Sequence, residues 1–152
     1  MIQRIQTLFL LEIAFLSISL LFIPVEFLYD KINAESIVQL LPLSGDVFRS
    51  SEAHYAAIVI NFLNIVLCFI TIFSFKKREL QVKLCYVLIL FYLVLSIVVV
   101  FVPLIQPSEN ITDSKINILS CIIFGVCIIS AFIAARFIKK DIELLRSTDR
   151  IR

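Results

Sequence analysis

The apolar run at residues 84–105 carries no charged side chain, and it limits what this chain can fold into more than any other feature. A hydrocarbon core about 30 Å thick is crossed by a helix of about 20 apolar residues. Runs at residues 5–23, 55–75 and 116–138 have similar lengths and few charges. Each is too long for a strand and too apolar on every side for a surface helix. Because lipid offers the backbone no hydrogen-bond partners, the four runs predict four transmembrane helices.

The composition agrees with lipid as the main solvent. Apolar residues make up 61% of the chain, its mean hydropathy is +1.03 and charged residues make up 17%, against about 25% in a typical soluble domain. A cleaved signal peptide is the alternative for the first run, but a signal core has only about 7–15 residues, and this run continues to Ile23. We therefore predict one integral membrane domain over residues 1–152, with an all-α, four-helix transmembrane bundle.

Basic residues are concentrated at one end of the predicted bundle. They occur in the connection at residues 76–83 and in the tail at residues 139–152, and Arg4 lies near the N-terminus. The outer loop at residues 24–54 and the short connection before the fourth run hold most of the carboxylates. Since cytoplasmic segments carry the excess of Lys and Arg, both termini are predicted to be cytoplasmic. The basic ends are expected to contact anionic lipid headgroups rather than nucleic acid.

Glu12 is a carboxylate within the first apolar run. At a helix centre such a group costs about 2.5–3.5 kcal/mol, and intramembrane carboxylates are often functional. One interpretation is that the side chain reaches the cytoplasmic interface or pairs with a basic residue such as Arg136 or Lys83. The other is that it binds protons or cations inside the bundle, in which case Glu12→Gln should abolish a transport activity.

Small and polar residues on the second and fourth runs predict how the helices pack. Asn61 and Asn64 are three residues apart, share a side of a helix and are expected to hydrogen-bond across helices. On the fourth run, small residues recur four apart and let helices approach closely, either within the bundle or in a homodimer. These residues are Cys121 with Gly125, and Ala131 with Ala135.

The outer loop, the tail and the cysteines each carry a further prediction. In the loop at residues 24–54, apolar residues between turn formers predict either a pair of short strands or a short interfacial helix. In the tail, Ile138, Ile142 and Leu145 follow a helical repeat, which predicts an amphipathic helical extension. The cysteines are expected to be small buried hydrophobic residues without a disulfide framework; they are Cys68, Cys85, Cys121 and Cys127.

No motif for catalysis or metal binding is present in the sequence. The chain has two glycines and one histidine, His54, so it lacks a Gly-rich phosphate loop and a paired-histidine zinc motif. We therefore predict a protein that is not an enzyme, with no catalytic residue, cofactor or metal.

Three segments resemble one known family. They are residues 1–7 (MIQRIQT), 75–85 (FKKRELQVKLC) and 138–152 (IKKDIELLRSTDRIR). In this order they are similar to the domain-of-unknown-function 4293 family, small membrane proteins of Bacteroidetes. The resemblance spans the whole chain and implies a four-span, multi-pass protein of the bacterial inner membrane. It implies no activity, and Glu12 lies outside the matching pattern.

The matching positions are candidates for a shared cytoplasmic contact surface. They are Gln3, Arg4, Lys77, Gln81, Cys85, Arg146, Asp149 and Arg150. The favoured function is that of an accessory or scaffold subunit that uses this surface to bind a membrane-protein partner. A homodimer is the other association that we consider.

The alternative function is a small proton-coupled transporter that uses Glu12. Four spans with a glutamate in the first resemble the small multidrug resistance family. The two glycines, the absence of tryptophan and the long acidic outer loop depart from that pattern.

Overall fold

Four helices form the body of the protein. A computed structural model describes residues 3–30, 35–40, 52–105 and 111–149. The helices are α1 (Gln3–Ser19), α2 (Glu52–Phe73), α3 (Arg78–Ile105) and α4 (Ile118–Asp149), and a 3-10 turn at Ser74–Lys76 follows α2. The predicted four-helix architecture is therefore confirmed.

The helices form a closed square, because each one packs against its two neighbours. α1 contacts α2 and α4, and α3 contacts the same two helices from the other side. The centre is filled by fully buried side chains from all four helices, among them Leu10, Cys68, Leu88, Leu95 and Ile138. We call the end of the bundle that holds the α2–α3 connection the hairpin end.

The outer surface of the bundle is as apolar as its interior. Leu8, Phe15 and Phe73 are 65%, 68% and 75% exposed, which would be unfavourable for so many large side chains in water. Three helical segments are long and apolar enough to cross a membrane: Tyr55–Lys76, Arg78–Val100 and Ile118–Leu145. The remaining apolar helical segment, Ile5–Ser19, is shorter. The chain is thus a membrane protein.

Three short strands form a small antiparallel sheet at the end of the bundle opposite the hairpin end. They are β1 (Pro24–Asp30), β2 (Glu35–Gln39) and β3 (Ile111–Ile116), in the order β2-β1-β3. Of the two alternatives for the loop at residues 24–54, the strand pair is the one found within its described residues. The third strand adds to the all-α prediction, and it ties the segment after α1 to the segment before α4.

Several element boundaries differ from those predicted. α1 ends at Ser19, four residues before the end of the predicted first span, and a turn then leads into β1. The predicted loop at residues 76–83 is mostly helical, because the backbone N–H of Lys77 closes the 3-10 turn onto Ser74 O at 3.0 Å and α3 begins at Arg78. The tail prediction is confirmed as far as Asp149, where α4 ends.

Candidate functional site

A basic cleft opens at the hairpin end of the bundle. It has a volume of about 720 Å³ and lies between the α2–α3 connection and the last turns of α4. Four of its lining residues are cationic (Lys76, Lys77, Arg78 and Lys83), one is acidic (Glu79) and three are apolar (Leu80, Ile142 and Leu145). Positive charge beside apolar surface suits an acidic ligand that also carries apolar groups.

One ion pair fixes the α4 wall of the basic cleft. Arg78 Nη1 lies 2.5 Å from Asp141 Oδ2, and the two side chains are only 23% and 13% exposed. Because the pair is partly withdrawn from water, it is screened less than a surface ion pair. It joins the first residue of α3 to the part of α4 that extends beyond the predicted fourth span, which we call the α4 extension (residues 139–149).

The apolar stripe of the α4 extension passes from the core to the cleft. Ile138 is fully buried, Ile142 packs against the core, and Leu145 is 47% exposed where it lines the basic cleft. The predicted amphipathic stripe therefore exists, and its outer end, at Leu145, lies in the basic cleft together with the lysines.

The predicted cytoplasmic contact residues do not all lie on a surface. Lys77 is exposed in the basic cleft. Gln81 was assigned to this surface incorrectly, because it is only 4% exposed and its Nε2 donates to Thr71 O at 3.2 Å. Cys85 is likewise fully buried. The structure does not describe Arg150 or the side chains of Gln3, Arg4, Arg146 and Asp149, so those predictions lie outside the described residues.

A layer of polar side chains crosses the centre of the bundle. Ser17 donates to Ile13 O at 2.6 Å, so its oxygen is left to accept the hydrogen bond from the Tyr92 hydroxyl. The Cys127 thiol interacts with the same hydroxyl, and Asn61 Nδ2 donates to Ser17 O at 3.2 Å. This polar layer links all four helices, which agrees with the predicted cross-helix role of Asn61.

Asn64, three residues after Asn61 on α2, lacks comparable bonding. It is fully buried, and neither its Oδ1 nor its Nδ2 has a hydrogen-bond partner among the described residues. The burial agrees with the packing prediction, but the predicted hydrogen bond across helices is not formed. A buried amide that lacks partners costs about 1–3 kcal/mol.

Glu12 lies on the outer face of α1, outside the packed core. Its side chain is exposed, and Ser130 Oγ on α4 is 3.5 Å from Glu12 Oε2. Neither Lys83 nor Arg136 pairs with it; Arg136 instead stacks over Phe132, with Cζ 4.7 Å from the ring centroid. The interpretation that Glu12 pairs with one of these cations is therefore wrong, and the structure also does not place the carboxylate inside the bundle.

The small residues of α4 divide into two groups. Ala131, Ala134 and Ala135 are fully buried, which agrees with close packing of α4 in the bundle. Cys121 is exposed, and a Cβ added at Gly125 would meet nothing within 4 Å. These two residues therefore do not pack within the bundle, because they face away from the side of α4 that buries Ser120, Ile123 and Phe124. A homodimer contact at Cys121 and Gly125 stays a prediction.

Ser17, Tyr92 and the Arg78–Asp141 pair were not predicted from the sequence. Serine and tyrosine are common in apolar helices, and only the rotation of α1 and α3 about their axes brings these two hydroxyl groups together. Arg78 and Asp141 were assigned to a loop and a tail, so their meeting required the packing of α3 against α4. The burial predicted for the four cysteines is confirmed for Cys68, Cys85 and Cys127 and is wrong for Cys121, which is exposed; all four are free thiols. Within the described ranges, no cluster of His, Cys, Asp and Glu could hold a metal ion.

Comparison with known proteins gives one match. The family model described as "Domain of unknown function (DUF4293)" matches residues 2–151, which is nearly the whole chain. No curated protein and no solved structure matches the chain.

Proposed function

The chain belongs to the DUF4293 family, and from the geometry of its own residues we propose that it is a non-enzymatic accessory or scaffold subunit of a membrane complex. The basic cleft at the hairpin end is the observation that carries this proposal. Its walls are the α2–α3 connection and the α4 extension, which the Arg78–Asp141 pair joins. A pre-formed cleft of this kind limits the ordering cost of binding a partner.

The proposal places four spans in the membrane with both termini in the cytoplasm. α1 has 17 residues and a length of about 26 Å at 1.5 Å per residue, which is slightly less than a hydrocarbon core of about 30 Å. The apolar turn Leu20–Ile23 extends it. The lysines of the hairpin end support a cytoplasmic location for that end, and we assign the protein to the bacterial inner membrane.

The partner of the basic cleft is an acidic protein segment. The three lysines Lys76, Lys77 and Lys83 are exposed, whereas the charge of Arg78 is balanced by Asp141. Complementary charge steers association and sets specificity. Leu80 and Leu145 at the same cleft favour a segment in which apolar residues accompany the carboxylates.

Two cationic side chains outside the basic cleft are suited to bind anionic lipid headgroups. Lys139 Nζ lies 5.1 Å from the centroid of the Tyr86 ring, and Arg136 lies over Phe132. Cations stacked on aromatic rings near the end of a membrane helix are suited to the interface. These residues can anchor the hairpin end to the headgroup layer while the basic cleft remains available to a partner.

Carbodiimide cross-linking in native membranes tests the accessory function, because it joins a lysine directly to a carboxylate in contact with it. We expect Lys77 or Lys83 to cross-link to an Asp or Glu of a stoichiometric partner that copurifies in mild detergent. Lys83→Glu should reduce the cross-linked and copurified partner at least tenfold. Lys140→Glu makes the same charge change outside the cleft and should leave both unchanged.

Two results would count against the accessory function. One is equal loss of the partner in both variants, which would indicate a general charge effect. The other is recovery of a homodimer with no partner from native membranes.

The contact between Glu12 and Ser130 favours a second candidate function, proton-coupled transport through Glu12. Its support is weaker, because the carboxylate is exposed on the outer face of α1 while Ser17, Asn61 and Tyr92 are fully buried within the bundle. A proton-exchange assay in liposomes tests it. Activity that is present in the natural protein and lost in Glu12→Gln would establish transport, and unchanged activity would reject the role of Glu12.

A further inference from the structure

A second cleft lies between α1, the end of α2 and the start of α3. Its volume is about 590 Å³, and it meets the basic cleft only at Arg78, which lines both. Its walls include Leu8, Leu11, Phe73 and Phe75, and each of these side chains is more than half exposed. This cleft, which we call the α1 cleft, therefore offers an apolar groove beside the polar hairpin end.

Gln6 supplies the α1 cleft with a buried hydrogen-bond donor. The residue is only 4% exposed, and its Nε2 has no hydrogen-bond partner in the described part of the chain. Gln81, which also lines the cleft, differs because its own Nε2 is bound to Thr71 O. An unsatisfied buried donor costs about 1–3 kcal/mol, and a ligand oxygen in the cleft would remove that cost.

Arg78 supplies a second donor at the rim of the same cleft. A guanidinium carries five N–H donors in a fixed fork. The contact with Asp141 is made through Nη1, which leaves other N–H groups for a further acceptor. Arginine binds phosphate oxygens well because its fork matches their geometry.

We propose that the α1 cleft binds one phospholipid molecule. An acyl chain lies along Leu8, Leu11 and Phe73, an ester oxygen accepts the hydrogen bond from Gln6 Nε2, and the phosphate lies at Arg78. The apolar walls favour a phosphate that is attached to an acyl chain over a soluble phosphate. The volume of the cleft falls in the range of about 300–1,000 Å³ that is usual for small-ligand sites. The site shares only Arg78 with the partner surface proposed above, and it does not depend on that function.

Native mass spectrometry of the full-length protein in detergent tests the proposal, with dioleoyl phosphatidylglycerol as the probe. The natural protein is expected to hold one lipid. Gln6→Leu removes the donor and Leu11→Trp fills the groove, so each should weaken binding about tenfold or more, which is about 1.4 kcal/mol. Leu93→Trp adds the same bulk at an exposed position of α3 away from the cleft, and binding should stay within twofold.

A probe that has the phosphate but no acyl chain distinguishes a lipid ligand from a soluble phosphate. Glycerol phosphate should bind far more weakly than the lipid, and equal affinity would overturn the proposal in favour of a soluble ligand. Unchanged lipid binding in Gln6→Leu would also overturn it. That variant keeps the test decisive if Leu11→Trp fails to fold, and the retention of each variant on size-exclusion chromatography verifies that it is folded.

Discussion

Two buried asparagines of α2 have different bonding, and this difference decides what each contributes to stability. Asn61 is held by Ser17 O, whereas Asn64 has no partner among the described residues. Removal of a bonded group loses the bond, whereas apolar replacement of an unbonded polar group can be neutral or stabilising. The two positions therefore form a matched pair for mutation.

We predict that Asn64→Leu leaves the melting temperature unchanged or raises it, and that Asn61→Leu lowers it. Leucine has the same number of side-chain heavy atoms and the same branching at Cγ as asparagine, so the main change at position 64 is loss of a desolvated amide without partners. Thermal unfolding of both variants in the same detergent measures the difference. A large fall for Asn64→Leu would contradict this view and would indicate that the amide binds a molecule within the core.

We predict that Tyr92→Phe and Ser17→Ala are energetically coupled. Each removes the hydrogen bond between the two hydroxyls, which joins α3 to α1. Such bonds between membrane helices contribute about 0.6 kcal/mol on average, with a maximum of about 1.7 kcal/mol. A double-mutant cycle of unfolding free energies should give a coupling in that range, and additive effects would show that the bond does not contribute to stability.

At the scale of elements, residues that are distant in the sequence stabilise the two peripheral segments, the α4 extension and the sheet. The α4 extension is held at Asp141 by the start of α3. The sheet is held by β1, which pairs with both β2 and β3. Both arrangements depend on a single central residue or strand, so each can be tested by one substitution.

We predict that Asp141→Asn loosens the α4 extension. It leaves Arg78 partly buried without its anionic partner, and breaking such a pair is more costly than losing a surface ion pair. Hydrogen exchange of the amides at residues 139–149 should become at least tenfold faster. Glu143→Gln, two residues away and exposed, is the control, and an equal acceleration in it would mean that the ion pair does not hold the extension.

We predict that Phe27→Pro disrupts the sheet without unfolding the helices. Phe27 lies in the central strand, opposite Ile37 in β2 and Lys115 in β3. Proline there removes a backbone donor and does not fit a central strand. In Phe27→Pro, hydrogen exchange of the amides in β2 and β3 should accelerate. In Phe27→Val, which keeps the backbone N–H, the exchange of these amides should remain slow. Unchanged exchange in the proline variant would contradict the pairing.

At the scale of the whole molecule, the bundle has one end with a basic turn and one end with a sheet. The connection Ser74–Lys76 between α2 and α3 is short, whereas the chain forms β1 and β2 between α1 and α2, and β3 before α4. From the positions of the charges, the positive-inside rule predicts that the basic turn is cytoplasmic and that the sheet lies on the opposite side of the membrane.

We predict that the two ends are labelled from opposite sides. Single cysteines are introduced in a Cys121→Ser background, because the other natural cysteines are buried. A membrane-impermeant maleimide should label Asp113→Cys in intact cells and Lys77→Cys only after permeabilisation. Gln3→Cys should behave like Lys77→Cys, and labelling from the side of Asp113 would show that α1 does not span the membrane.

The sequence by itself determined the membrane class, the number of helices and the helical tail, because long apolar runs leave the backbone few alternatives in lipid. The tertiary structure alone decided which side chains meet. An apolar helix in lipid lacks the polar face that would indicate its rotation, since its lipid-facing and core-facing sides are both apolar. For this reason the outward position of Glu12, the burial of Gln81, the Tyr92–Ser17 bond and the Arg78–Asp141 pair could not be derived from spacing. The strand pair of the outer loop was only one of two alternatives and β3 was not predicted, for a related reason: short segments form a sheet only when partners distant in the sequence come together.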